Sequence, residues 1–312
     1  MINLEELKKY KHIHMLGIGG TSMSGIATIL KKWGFYVTGS DANESELVDK
    51  LKNNGISVVI GHDLDNLRKA DLVIYSAAIS HDDIEMQEAE RLNIETMERS
   101  TFLGIITKGY RDTISISGTH GKTTTTSLVY HILKSAGFNV GLAGNIGRSL
   151  ALQVAEENFD YYVIELSSFQ LDNMYDFRAN VAVLLNITPD HLDRYDFNFQ
   201  NYTDAKMRVI QNQTEDDAFV YWMDSPVIAQ ELKKYDIKSR TCPFSAIKKD
   251  GAIAYAEKGE YVIEQPTPFN MELESLSLTG KHNLYNSLAA GITAKLAGVS
   301  NEDLRKSLSD FP

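Results

Sequence analysis

One cysteine, Cys242, in 312 residues excludes an internal disulfide and fits a reducing, cytoplasmic compartment. Its setting reads as a strand, not as a catalytic thiol. Also missing is any apolar run approaching the ~18 residues of a membrane span. Residues 1–10 carry Glu5, Glu6, Lys8 and Lys9, so they read as an amphipathic helix rather than a secretion signal. The formal net charge is −11 and no basic stripe is visible, which sets nucleic acid and membrane aside as partners. Anionic substrates stay open, because local Lys, Arg and helix-terminus sites can still take them. There is no internal repeat and no low-complexity tract. What is present is an ordinary globular composition, 43% hydrophobic and 23% charged, long enough for about two domains of ~150 residues.

Strand patterns at 11–17, 35–39, 57–60 and 71–76 alternate with helix patterns at 22–33, 44–53 and 82–92. Asn54-Gly55 closes the second helix. This rhythm predicts a Rossmann-like parallel sheet with helices on both faces. Residues 99–112 bridge to a second βα series, with strands at 113–117, 139–143, 161–165, 181–186 and 218–222. A β-rich stretch, 239–278, carries Asp250-Gly251 and Lys258-Gly259 as hairpin signals. Helices at 282–296 and 301–309 follow. The expected division is 1–108 and 109–312, the second a P-loop-type α/β domain with a small β-rich subregion. The end at Asp310-Phe311-Pro312, directly after a helix, reads as a hinge.

The strongest motif is Ser117-Gly118-Thr119-His120-Gly121-Lys122-Thr123-Thr124-Thr125, between the strand 113–117 and a helix predicted over 127–136. Glycines let backbone N–H groups approach phosphate oxygens, the helix N-terminus and Lys122 add positive charge, and Thr123 offers a hydroxyl to Mg²⁺. A strict Walker A loop would have a glycine where Ile116 stands, so ordinary helix capping is the competing reading. A second glycine cluster, with Gly17, Gly19, Gly20, Thr21 and Ser22, follows the first strand. Ser22 replaces the last glycine of a Gly-x-Gly-x-x-Gly fingerprint, and Asp41 ends the second strand where a ribose-binding acid would stand. A nucleotide-type diphosphate, an NAD-linked dehydrogenase and a ligand-free packing turn all remain compatible with it.

Together these motifs resemble the Mur ligases of bacterial cell-wall synthesis over essentially the whole chain. The resemblance is mosaic. Residues 17–27, Thr38 to Asp41, Ser76-Ala77-Ala78-Ile79 and His120 are similar to the L-alanine-adding member. Gly144-Asn145-Ile146-Gly147, Glu165-Leu166-Ser167-Ser168-Phe169-Gln170-Leu171 and Asn186-Ile187-Thr188-Pro189-Asp190-His191-Leu192-Asp193-Arg194 are similar to the D-glutamate-adding member. The resemblance implies a UDP-sugar domain, 1–108, and a central ATPase domain, 109–312, with a further domain expected beyond Pro312. It implies an amide-forming reaction through an acyl phosphate. D-Glutamate added to UDP-N-acetylmuramoyl-L-alanine is the preferred pair, and L-alanine added to UDP-N-acetylmuramate the alternative.

Two features support such chemistry independently. Glu165 ends a buried strand at the sheet edge where α/β sites form, and a hard carboxylate there suits Mg²⁺, a helix-capping or ion-paired acid being the competing reading. His191 lies in a loop beyond another strand, flanked by Asp190, Asp193 and Arg194. By resemblance His191 helps hold a second Mg²⁺, and Lys206, which spacing alone makes a solvated helix lysine, is carbamylated and ligates metal. Resemblance also gives Gly118 to Thr124 with Asn283 and Asn286 to ATP, although capping explains Asn283 equally well. Gly17, Gly19, Gly20, Thr21, Ser22, Asp41, Ser76, Asn145, Ser167 and Ser168 are expected at substrate. The other readings are a phosphotransferase or nucleotide-driven switch, and a binding-only form that ligates poorly without the further domain.

Overall fold

The alternating pattern resolves, in a computed structural model, into two α/β units: residues 1–109 with 148–158, and 110–147 with 159–312. The structure describes residues 7–108, 112–145, 150–157, 159–175 and 177–312. Most of the helix expected over 1–10 lies outside these, as do residues 146 and 147 of the Gly144 motif.

In the first unit the chain runs β1 (His12–Leu16), α1 (Thr21–Lys32), β2 (Tyr36–Asp41), α2 (Glu46–Asn53), β3 (Ser57–Ile60), α3 (Leu64–Leu67), β4 (Leu72–Tyr75), α4 (Ile84–Arg91), β5 (Glu95–Glu98) and α5 (Arg99–Lys108). All five strands are parallel, in the order β3-β2-β1-β4-β5. The order reverses between β1 and β4, and the glycine turn leaves β1 at that crevice, where α/β sheets take ligands. Two elements differ from expectation. Glu-Thr-Met-Glu is a polar edge strand, β5, whose register is fixed by β4 and not by its own pattern. Residues 99–108 form a helix rather than a bridge, because Phe102 and Leu103 find cover in this unit's core.

The second series is β6 (Asp112–Ser117), α6 (Lys122–Ser135), β7 (Val140–Gly144), α7 (Leu150–Glu156), β8 (Tyr161–Glu165), α8 (Ser168–Asn173), β9 (Val181–Leu184), α9 (Phe199–Met207), β10 (Ala218–Trp222), α10 (Pro226–Glu231), β11 (Arg240–Phe244), β12 (Ala254–Glu257), β13 (Glu260–Ile263), β14 (Phe269–Glu272), α11 (Lys281–Leu296) and α12 (Asn301–Asp310). Of these, α7 packs on α1 and belongs to the first unit. The nine strands order as β14-β13-β12-β11-β10-β9-β6-β8-β7. From β6 the chain goes first to one side, then returns to place β9 on the other, so the switch point is at β6. The buried core joins Ile114 and Ile116 of β6 to Leu128 and Ile132 of α6 and to Leu288 and Ile292 of α11.

Lys258-Gly259 makes the antiparallel β12–β13 hairpin as expected, both residues at positive φ (51° and 83°). Asp250-Gly251 does not make a hairpin: β11 and β12 run parallel, with Phe244 beside Ala254. A turn signal reverses the chain locally, but here the loop carries it back to start a parallel bridge through Ser245 N–H to Ala254 O. Helix α6 starts at Lys122, five residues before the predicted start. Thr123, Thr125 and Thr126 are tolerated because their hydroxyls find partners: Thr126 Oγ1 donates to Lys122 O, one turn back, at 2.8 Å.

Candidate functional site

The phosphate-type loop, residues 118–121, leaves the carboxyl end of β6 at the switch point of the second sheet. Gly118 (φ 152°) and Gly121 (φ 84°) adopt backbone conformations that disfavour side chains. A Cβ on Gly121 would stand 2.4 Å from Asn286 Oδ1. Gly121→Ala should therefore lower stability by about 1–3 kcal/mol from left-handed strain and displacement of Asn286. An unchanged urea midpoint would refute this.

Asn186, two residues past β9, holds the loop from the neighbouring strand. Its side-chain oxygen accepts from Thr119 N–H (3.1 Å) and His120 N–H (2.8 Å), and its amide donates to His120 O at 3.0 Å. Lys122 Nζ donates to Gly118 O at 2.9 Å and to Thr119 O at 2.8 Å. Lys206, on α9, donates to the same Gly118 O at 2.7 Å. Two ammonium groups thus converge on one carbonyl oxygen. Among the described residues, neither has a carboxylate within ion-pair distance. Burial lowers the pKa of both. For Lys206, which is only 2% exposed, burial and then the charge of Lys122 push it to about 7, against the pull of Asp190. The reading of Lys206 as a solvated lysine is therefore corrected: α9 turns it inward onto the loop.

Glu165, 4% exposed at the end of β8, accepts from Thr123 Oγ1 at 2.9 Å. Asn145 stands beside it, its N–H donating to Glu165 O at 3.2 Å. A Cβ on Gly144 would fall 2.2 Å from that same oxygen, so this close approach needs glycine. His191 is exposed in a left-handed conformation (φ 48°), its N–H on Asp190 Oδ1 and its ring edge-on to Phe169 at 5.5 Å. Asn286 is buried and accepts from Thr125 Oγ1 at 3.2 Å, while donating to Asn283 Oδ1. Asn283 in turn donates to Thr279 O. Ser167 is spent on capping α8, in a reciprocal box with Gln170, and Ser168 is buried beside it.

In the first unit Gly17, Gly19, Gly20, Thr21, Ser22, Asp41 and Ser76 gather at the carboxyl ends of β1, β2 and β4. Asp41 Oδ2 accepts from Gly19 N–H at 2.8 Å, and a Cβ on Gly19 would meet that oxygen at 2.9 Å. A Cβ on Gly17 would meet Ser76 Cβ at 3.3 Å. Sequence reasoning singled out neither Asn186 nor Tyr202 as loop-holding residues. Asn186 stood in a quoted motif at a strand end, and Tyr202 lies one helical turn before Lys206.

Residues 116–294 match the model of the Mur ligase middle domain, and residues 12–111 match that of the Mur ligase family catalytic domain. The UDP-N-acetylmuramoylalanine–D-glutamate ligase of Bacteroides thetaiotaomicron is 55% identical over 304 residues, 96% of this chain and 68% of the relative. The UDP-N-acetylmuramate–L-alanine ligase of Clostridium botulinum is 35% identical, over 97% of this chain and 66% of the relative. In fold, the chain is similar to the crystal structure of UDP-N-acetylmuramate:L-alanyl-γ-D-glutamyl-meso-diaminopimelate ligase from Neisseria meningitides, with TM-score 0.71 and 24% identity, covering 97% of this chain and 98% of that one.

Proposed function

The chain belongs to the Mur ligase family, and on that premise we propose that it is the ATP-dependent ligase joining D-glutamate to UDP-N-acetylmuramoyl-L-alanine. The observation that carries the nucleotide half of this reading is the convergence of Lys122 and Lys206 on Gly118 O beside a glycine loop and a helix N-terminus. Among the described residues Lys122 has no carboxylate within ion-pair distance, and a cation so placed favours an anion, which a triphosphate supplies. The 55% identical relative supports the amino-acid and acceptor half.

On this reading the acceptor carboxylate takes the γ-phosphoryl group, and the acyl phosphate is then attacked by the amine of the amino acid. No protein nucleophile is needed. Lys122 and the first N–H groups of α6 neutralise charge on the transferring phosphoryl group, those of Thr119 and His120 being held by Asn186. Thr123 and Glu165 are hard oxygen donors 2.9 Å apart and suit Mg²⁺, whose chemistry when bound is to neutralise phosphate charge. A second Mg²⁺ would use His191 and Lys206. An ammonium cannot ligate a cation, but a lysine lowered to about 7 presents neutral amine near neutrality. That amine adds CO₂, releases one proton and becomes a carbamate anion. Asn145 is assigned to a phosphate or substrate oxygen, and Asn283 and Asn286 to adenine. Residues 17–22, Asp41 and Ser76 of the first unit are assigned to the UDP-sugar. Among the described residues, no helix is long and apolar enough to cross a membrane.

The alternative, L-alanine added to UDP-N-acetylmuramate, is favoured by the first unit's motifs and the 35% identical relative. Calorimetric titration with each UDP-muramoyl compound, then phosphate release on adding each amino acid with ATP and Mg²⁺, separates them. Tighter binding of the L-alanine-bearing compound and stimulation by D-glutamate are expected. Preference for UDP-N-acetylmuramate and L-alanine would replace the reading. In the same assay Lys122→Ala should weaken ATP binding about 30- to 100-fold, the scale of a charge-assisted contact.

A further inference from the structure

Tyr202 is almost wholly buried, yet it is no mere core filler. Its hydroxyl lies 3.1 Å from Thr119 Oγ1 in the phosphate loop. Thr119 Oγ1 already accepts from Thr188 N–H at 3.0 Å and donates its own proton to Thr188 O at 3.2 Å. The one role left for Tyr202 is donor, which makes the bond directional. On the same face of α9, one turn on, Lys206 Nζ sits 4.8 Å from the centre of the Tyr202 ring and bonds Gly118 O. A single turn of helix therefore grips two consecutive loop residues.

The ring also continues outward. It meets Tyr195 edge-on at 5.4 Å, and Tyr195 stacks on Phe169 at 5.8 Å. Phe169 meets the His191 ring edge and takes the Arg194 guanidinium at 4.6 Å. Tyr195 is pinned by donating to Asp172 at 2.9 Å. Tyr202 is thus where the loop, Lys206 and the His191 segment join.

We propose that Tyr202 is a positioning residue for the phosphoryl-transfer site: its hydroxyl fixes the loop through Thr119 while its ring seats Lys206 on Gly118. The consequence for nucleotide rests on the function proposed above; the consequence for the loop does not. Tyr202→Phe keeps the ring and removes only the donor. In the ligand-free protein, amide exchange at Thr119 and His120 should then speed about tenfold, the scale of one buried hydrogen bond, with the rest of the second unit unchanged. Affinity for Mg²⁺-ATP should fall several-fold. Thr119→Val removes this bond together with the two to Thr188, so it should lose more than Tyr202→Phe, and the double variant should lose no more than Thr119→Val alone.

Unchanged exchange at Thr119 and His120, exchange that rises evenly over the unit, or additive losses would each overturn the proposal. If Tyr202→Phe loosens the loop but the parent binds no nucleotide, positioning stands and the nucleotide reading falls. If the parent binds nucleotide and Tyr202→Phe exchanges and binds like it, positioning alone falls.

Discussion

Lys206→Met should be more stable than the parent chain at about pH 6 in CO₂-depleted buffer, with the advantage shrinking as pH rises toward ~10. The buried ammonium has its pKa pushed down from 10.5 to about 7, first by burial and then by Lys122. Below the folded value both folded and unfolded chains carry the proton, and the folded state bears the full desolvation cost. Between the folded and unfolded values only the unfolded chain keeps it. Folding then releases a proton, so this group makes stability rise with pH, with a slope approaching ~1.4 kcal/mol per unit. Met fills the volume without the charge, and Gly118 O keeps its bond from Lys122. Chemical denaturation of both proteins across the range isolates the effect as a difference. Parallel pH profiles would show that Lys206 is not buried as a charge. Function should move the other way: burying Lys206 beside Lys122 costs stability, and the Met variant lacks the amine that the proposed site uses.

Glu85→Gln is expected to cost about 3 kcal/mol near neutrality and almost nothing near pH ~2. Glu85 is 2% exposed on α4 and ties the first unit together. It bonds His14 Nε2 and Asp63 N–H through Oε1, and Ser40 Oγ and His62 Nδ1 through Oε2. Those bonds join β1, β2, α4 and the loop after β3. Burial alone would raise its pKa, but the bonds from His14, the Asp63 amide, Ser40 and His62 outweigh it and hold the group at about 2. A depressed carboxyl contributes its stability above the unfolded value of 4.5 and loses it as pH falls toward the folded one. Gln sets an NH₂ donor against donors and removes the charge. Urea midpoints for parent and variant at two pH values check this. A gap that persists in acid would mean that shape rather than charge is responsible.

Much of the framework was legible because it is local. The run Ser117 to Thr125 announces its own turn and helix, and alternating strand and helix patterns bring parallel sheets with them. Glu165 could be placed at a sheet edge because its strand, Tyr161 to Ile164, is apolar throughout. The failures were of another kind. Asp250-Gly251 carries a hairpin signal but serves a parallel bridge, since pairing is chosen by the strands available and not by the turn. β5 has no apolar alternation and exists because β4 offers an open edge.

The site divides in the same way. Sequence by itself determined the glycine loop and its helix, the acids and histidine beyond the strand ends, and the family to which their spacing belongs. Tertiary structure decided the electrostatics. Lys206 and Lys122 are 84 positions apart, and nothing near either residue shows that both point at Gly118 O. Asn186 and Tyr202 are ordinary polar and aromatic residues until β9 and α9 bring them against the loop. Burial and charge proximity are properties of distance in space, and chain order sets them only through the packing of the whole sheet.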